Sequence, residues 1–533
     1  MSQMNSILAG MQTTLQYDHF KGVLYPLDFG DYSSTKPQTF KSLVEIVADF
    51  VVKDSTMTLH ALEMMPQEII TVLMQQALEG NRDRAVDVLL TKWPLTTLNL
   101  NKFAPNIFNN LSILHSHLEL TKTAKQGLRY TTCIAHNFLE TLKRKCDTRL
   151  KYVDISGYPT AEVITYYLAT HCMLAHNEAR QNMMIRKYEE AIKLLPEEES
   201  NGKLERFTTD QSLPDDHFAV KLDVFISSEA ALYELCKALK VSGFRESTLR
   251  LIVNKLDATC LGSGKIDILL EQINPEHLQS LSLKYNSISS GEMMKLCPLI
   301  GQLTRITTID LSSNMISLMG DNSELCDKLS GMFTSLVHLI RLDLSNNILR
   351  GKLRSILTCV VLPLQYLGVE NCGLTAVDIA YLSYSHHSNS MQELALSNNN
   401  LRHCSSSFIA LLRNLKSCVK HLEIENCSLT DHHTESLAQS VQTLIELVYL
   451  NLRYNAFTRS SLCQVGVSAG SLSKLQYLRV SYATDCYDSD LLDDEQEELK
   501  KEFVNHLGAI VFNEQKKLEL SDKVLNVVFS ELF

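Results

Sequence analysis

Leu339-Ile-Arg-Leu342-Asp-Leu344-Ser-Asn-Asn347-Ile-Leu349 decides the fold of this 533-residue chain. Its apolar residues step by three, two and five, and an Asn stands three places after Leu344. The same line comes earlier as Leu278/Leu281/Leu283/Asn286/Ile288 and Ile306/Ile309/Leu311/Asn314/Ile316. It returns as Leu364/Leu367/Val369/Cys372/Leu374, Met391/Leu394/Leu396/Asn399/Leu401, Val419/Leu422/Ile424/Cys427/Leu429 and Leu447/Leu450/Leu452/Asn455/Phe457. Weaker copies flank the set at Leu249/Leu251/Asn254/Leu256 and Leu475/Leu478/Val480. The central strand residue then falls at 251, 283, 311, 344, 369, 396, 424, 452 and 480. In each line a short strand turns alternate side chains inward. The Asn or Cys can bond backbone groups where the chain leaves the strand. No single repeat can bury its own apolar side, so neighbours must stack.

The spacers between lines read as helices. Ser289-x-x-Glu292 and Thr375-x-x-Asp378 are capping-box starts, and Met293, Met294, Leu296 and Leu299 follow the first at roughly helical spacing. A strand and a helix every 28 or so residues fit the leucine-rich repeat template, in its long, ribonuclease-inhibitor-like form. The expected architecture is an α/β leucine-rich repeat solenoid: a horseshoe with a parallel sheet inside, helices outside and an N-terminal helical cap.

Composition agrees with a large non-membrane, non-nucleic-acid protein. Apolar residues make up 45%, charged residues 21%, and the net charge is −11, which argues against a general nucleic-acid surface. No apolar run reaches the eighteen or so residues of a membrane span. The opening MSQMNSILAG lacks a basic flank and an apolar core of signal-peptide type. Several of the fourteen cysteines sit on repeat positions (Cys372, Cys427) or in apolar helical stretches (Cys236, Cys297, Cys418). That placement points to a reducing compartment, cytoplasm or nucleus.

Taken in order, residues 1–37 read as a variable extension and 38–149 as a helical cap. In the cap, Leu43, Ile46, Val47 and Phe50 form one helix face. A second helix begins at Pro66 and ends near Gly80, and a third runs from Arg82 to Lys92 before Trp93-Pro94. Further helices are expected at Ile107 to Leu120 and Tyr130 to Leu142. Residues 150–245 hold first strands at Leu150 to Gly157 and Val220 to Val224, a helical stretch Ala161 to Leu195 and an acidic loop at 196–216. Residues 246–483 are the repeats. Residues 484–533 form an acidic linker, a helix carrying Leu491, Leu492 and Leu499, and an apolar terminal cap.

No catalytic constellation emerges. His386-His387 and Asp431-His432-His433 lack a second cluster that would complete a zinc site. Gly262-Ser-Gly-Lys265 is not a full phosphate-loop pattern. Neither an enzyme nor a cofactor is expected. The concave face is more informative. Strand alternation turns Asp310, Asp343, Glu370, Glu393, Glu423 and Glu425 outward, with Arg341 and His421 among them. The last strands present Tyr449, Arg453, Tyr454, Tyr477, Arg479 and Tyr482. The acids either keep the arc soluble or meet a partner; the Tyr/Arg cluster favours a protein partner. In the helix at 66–78, Ile69, Leu73 and Ala77 line one side and Ile70, Met74 and Leu78 a second. Such a helix is either core or lends one side to a partner helix.

Met65-Pro-Gln-Glu-Ile-Ile-Thr-Val-Leu-Met-Gln-Gln-Ala-Leu-Glu-Gly80, followed by Trp93-Pro94, resembles the N-terminal signature of the PRAME family over a likeness that spans roughly residues 40 to 533. The resemblance implies an intracellular horseshoe that serves as substrate receptor of a cullin-2 RING ubiquitin ligase. A BC-box helix would dock elongin B/C, and the concave face would hold the target. Carried over, Pro66 opens that helix and Ile69, Leu73 and Ala77 take its docking positions, with Leu73 where a Cys often stands. Likeness to one member of that family implies an alternative: a scaffold that binds the inhibitor-of-κB kinase and restrains Toll-like receptor and NF-κB signalling.

Overall fold

The computed structural model describes residues 41–103, 117–144, 148–193, 217–244, 247–320, 322–487, 492–518 and 525–532. The 1–37 extension, the 196–216 loop and most of the expected Ile107 to Leu120 helix lie outside them.

Four short helices come first among the described residues. α1 (Leu43–Val51) starts on a Ser42/Glu45 capping box, α2 (Ser55–Met64) on the Asp54 carboxylate, and α3 (Gln67–Glu79) after Pro66; α4 is Asp83–Thr91. Ile70, Leu73, Met74, Ala77 and Leu78 of α3 pack with Ala85, Val86, Leu89 and Leu90 of α4 into one buried cluster. Three longer helices follow: α5 (His117–Lys143), α6 (Glu162–Lys193) and α7 (Glu229–Ser242). Tyr130 to Leu142 is therefore the second half of one helix.

Among the described residues one sheet of thirteen strands runs in chain order and entirely parallel. β1 is Thr97–Asn99, β2 Tyr152–Pro159, β3 Phe218–Ile226 and β4 Leu249–Ala258. The short rungs are β5 (Ser280–Ser282), β6 (Thr308–Asp310), β7 (Arg341–Asp343), β8 (Tyr366–Gly368), β9 (Glu393–Ala395), β10 (His421–Glu423) and β11 (Tyr449–Asn451). β12 (Tyr477–Ser481) and β13 (Asn526–Ser530) end it. The middle leucine of each line pairs with the next: Leu281 with Ile309, Leu342 with Leu367, Leu394 with Leu422, Leu450 with Leu478. All of these are buried. The outer helices bury Leu296, Leu329, Ile379, Phe408, Leu437 and Val465 against the same core.

The Asn of each line joins two rungs. Asn399 Nδ2 donates to the carbonyls of Leu396 and Ser397 in its own turn (2.8 and 3.3 Å) and of Val369 one rung earlier (2.8 Å). Its Oδ1 accepts from the Cys372 and Leu374 N–H groups at 3.2 and 3.1 Å. Asn314 and Asn455 repeat the pattern. Where Cys replaces Asn, the thiol keeps only the donor half: Cys372 Sγ reaches Leu344 O at 3.2 Å and Cys427 Sγ reaches Leu396 O at 3.5 Å. Burial pushes both thiols up to about 12, so they stay protonated donors. Every described cysteine is a free thiol.

Three details differ from the sequence reading. In β4, Leu256 rather than Leu249 takes the position of Leu281, with which it pairs, and so Ala258 rather than Leu251 takes that of Leu283. Leu249, Leu251 and Val253 point inward, the register then slips at Asn254, and Leu256 and Ala258 resume the inward side. Simple alternation cannot show that slip. β1 was not expected at all: Leu95, Leu98 and Leu100 carry the same three–two step, but Phe103 stands where an Asn would. The Trp93 Nε1–H donates to Thr97 O at 3.0 Å, and its ring meets Phe103 edge-on at 5.6 Å. Finally, the C-terminal helix Asp493–Lys517 buries Phe503, Leu507 and Val511; Leu492 is exposed, Leu499 half-buried and Leu491 outside the described residues. Its acidic first turn suits the helix N-terminus, and the apolar face begins two turns later.

Candidate protein-binding face

Each rung turns its first and third residues to the concave side, and the residue two places beyond the strand joins them. Register stacks these into columns, so that Arg341 is followed by Tyr366, Glu393, His421, Tyr449 and Tyr477. Long side chains on adjacent rungs therefore meet one another before they meet solvent.

In the middle of the arc this produces a closed polar belt. Arg341 donates to both oxygens of Glu393, two rungs away, at 2.8 and 3.2 Å, and its guanidinium lies 4.7 Å from the centre of the intervening Tyr366 ring. The Tyr366 hydroxyl donates to Asp343 Oδ2 at 2.7 Å, and the Ser345 N–H to Oδ1 at 2.8 Å. Gly368 leaves the space that the Asp343 carboxylate fills. Asp310, Arg341, Asp343 and Glu393 are all buried. Burial, and then the neighbouring Asp343 charge, push the Asp310 carboxyl up. The expectation of a free acidic centre is corrected here: Arg341 and Glu393 hold one another, Asp343 is held by Tyr366 and the Ser345 N–H, and Asp310 accepts from the Ser282 hydroxyl and the Ser312 N–H.

Accessibility returns at Glu370, beyond β8, and again from β10 onward. Glu370 is half-buried; burial first, then the Glu423 and Asp343 charges, raise its carboxyl to about 7. For Glu423, burial acts upward, but hydrogen bonds from His421 (2.8 Å) and Asn451 (2.6 Å) hold it below the usual carboxylate range. Glu425 accepts from Asn451 and from Arg453, both at 2.7 Å. Tyr449 is buried beneath this group, its ring centre 4.4 Å from that of His421. Arg453, Tyr477 and Arg479 are half-buried, and Tyr454 is exposed. Tyr482 belongs to the end of the molecule instead: it stacks on Phe529 at 5.6 Å, with the Lys500 ammonium 5.4 Å from its ring.

The sequence reading missed the polar residues on the first strands. Asn254 donates to Asp223 Oδ1 at 2.9 Å, Lys255 lies 3.8 Å from Asp223 Oδ2, and Lys221 lies 3.7 Å from Asp154. The Lys–x–Asp spacing of 221/223 and 255/257 would have announced them. Of the helix residues, Pro66 is exposed, Ile69 half-buried, and Leu73 and Ala77 fully buried. His387 is a core residue: its Nδ1 accepts from the Leu364 N–H at 3.2 Å and its Nε2 lies 3.1 Å from Leu357 O. His433 closes the Thr430 cap. No helix among the described residues is long and apolar enough to cross a membrane.

A parallel ladder of this length, ringed by helices and presenting a concave polar and aromatic face, defines a leucine-rich-repeat protein. The chain belongs to the PRAME family: the PRAME N-terminal domain matches residues 41–126 and the PRAME C-terminal domain residues 218–520. Leucine-rich repeat-containing protein 14 of Xenopus laevis is 24% identical over 472 residues, covering 84% of this chain and 88% of that protein. The Homo sapiens protein of the same name is 24% identical over 249 residues, 45% of this chain and 50% of its own. PRAME family member 20 of Homo sapiens is 20% identical over 439 residues, covering 79% and 81%.

Proposed function

We propose that this chain is a non-catalytic adaptor whose concave face, from Glu370 to Arg479, seats another protein. One observation carries the reading. The middle of the arc buries its polar groups, whereas β10 to β12 leave Tyr454 exposed and Tyr477, Arg453 and Arg479 half-buried. Aromatic and Arg side chains are the groups that dominate protein interfaces.

The adaptor could deliver its partner to a cullin-2 ligase through elongin B/C, or hold a signalling partner such as the inhibitor-of-κB kinase without a ligase. The burial of Leu73 and Ala77 favours the second use. Docking through those two side chains would require α3 to leave the N-terminal core, whereas Pro66 and Ile69 alone offer a narrow contact.

Affinity capture on the full chain, followed by hydrogen exchange in the presence of the purified captured protein, tests the proposal. Protection across 421–481, with capture lost in a Tyr454→Ala/Tyr477→Ala variant, is expected; protection elsewhere overturns the binding face. Recovery of elongin and cullin with the proteasome blocked, abolished by Ile69→Asp in a chain that stays folded, would restore the ligase reading.

A further inference from the structure

Two arginines stand on the C-terminal third of the concave face, and they are treated differently. Arg453 is paired with Glu425 at 2.7 Å. Arg479, one rung on, donates from Nη1 to the Tyr449 hydroxyl at 3.2 Å, and its guanidinium carbon lies 5.9 Å from that ring centre. No carboxylate among the described residues pairs with it. Glu423 feels its charge but is held by His421 and Asn451. A half-buried guanidinium has given up part of its water, and without a carboxylate hydrogen-bonded to it that loss is only partly offset. Its planar fork is suited to a carboxylate, which it can hold by two parallel hydrogen bonds.

The surroundings add an apolar contact. Val528 of β13 is registered directly beside Arg479 and is 36% exposed. Tyr477 begins β12, the strand of Arg479, and Tyr454, 38% exposed, lies one rung back. We infer that Arg479 is the seat for a carboxylate side chain of the bound protein, with Val528 and Tyr477 receiving an apolar neighbour of that acid. The inference rests on the concave face being the binding surface, and it names the chemistry of the partner there: an Asp or Glu beside an apolar residue.

The test uses the full chain and pools of capped hexapeptides in which Glu, Gln or Lys is fixed at the third position and the others are randomised. Retention of the Glu pool about tenfold above the Gln and Lys pools is expected, the size of one charge-assisted hydrogen-bond pair. Arg479→Gln removes the guanidinium, and Val528→Glu places an internal carboxylate beside it; each should level the three pools. Val528→Gln should leave the Glu preference intact, which separates charge from size. Thermal melts check that all variants fold, and Val528→Glu keeps the test valid should Arg479→Gln unfold. Equal retention, no retention of any pool, or a Glu preference that survives Arg479→Gln overturns the inference. If a captured partner protects the concave face and yet no Glu preference exists, this inference fails and the binding face stands; protection elsewhere removes both.

Discussion

Gly368 is required for the absence of a side chain, not for its backbone freedom. A Cβ built there would come within 2.5 Å of the Asp343 carboxylate, and that carboxylate is fixed by Tyr366 and the Ser345 amide. Gly368→Ala should therefore destabilise the chain by about 1–3 kcal/mol, read as a lower urea midpoint at unchanged slope. His387 gives a prediction in pH. Burial holds its imidazole down at about 4 against an ordinary 6.5, so the native state binds fewer protons than the unfolded one between these values. Stability is complete above pH 6.5 and falls as pH drops toward 4, by a loss on the order of 3 kcal/mol. In His387→Gln the slope between pH 7 and 5 should flatten; an unchanged slope would place the titration elsewhere. His387 also shows where residue-level reading stops. In sequence it stood out only as half of a His386-His387 pair that completes no zinc site, and only the stacked turns supply the Leu364 amide and Leu357 carbonyl that enclose it.

For a single strand and its turn, the sequence was most readable. Seven lines placed seven rungs, because the inward leucines and the turn Asn or Cys recur at fixed steps within each line. Asn399 shows what such a position is worth. Asn399→Ala leaves the Val369 and Leu396 carbonyls and the Cys372 and Leu374 amides without their buried partner, a cost on the order of 3 kcal/mol. Asn399→Cys should recover about half of that, since Cys372 and Cys427 already serve by donating. Equal urea midpoints for the two variants would contradict this account. β1 and the register of β4 escaped for stated reasons: one ends in Phe103 instead of Asn, and the other hides an extra residue at Asn254. Both are decided by what the neighbouring strand offers, which no line reveals by itself.

Across the whole molecule, the concave face was legible as a direction but not as a chemistry. Alternation correctly turned Asp310, Arg341, Asp343 and Glu393 away from the apolar core. It could not tell that Arg341 would reach past β8 to Glu393, leaving the accessible groups to gather at one end. That end is closed by Lys500, which pairs with Glu531 at 3.0 Å and Glu497 at 2.8 Å and lies 4.6 Å from the Tyr487 ring centre. Lys500→Met should loosen β13 before anything else. Amide exchange at 477–481 and 526–530 is expected to accelerate while 280–343 stays unchanged; uniform acceleration would mean that the sheet opens as one unit.

The order of strands in space is the order of codons in the message. A nascent chain can thus lay each turn on a template already finished, with no wait for a distant segment still inside the ribosome. The final segment is the exception in importance: until it is synthesised, the Tyr477 edge stands open to other extended chains. Truncation a dozen residues short would consequently threaten solubility more than an equal deletion from any surface loop.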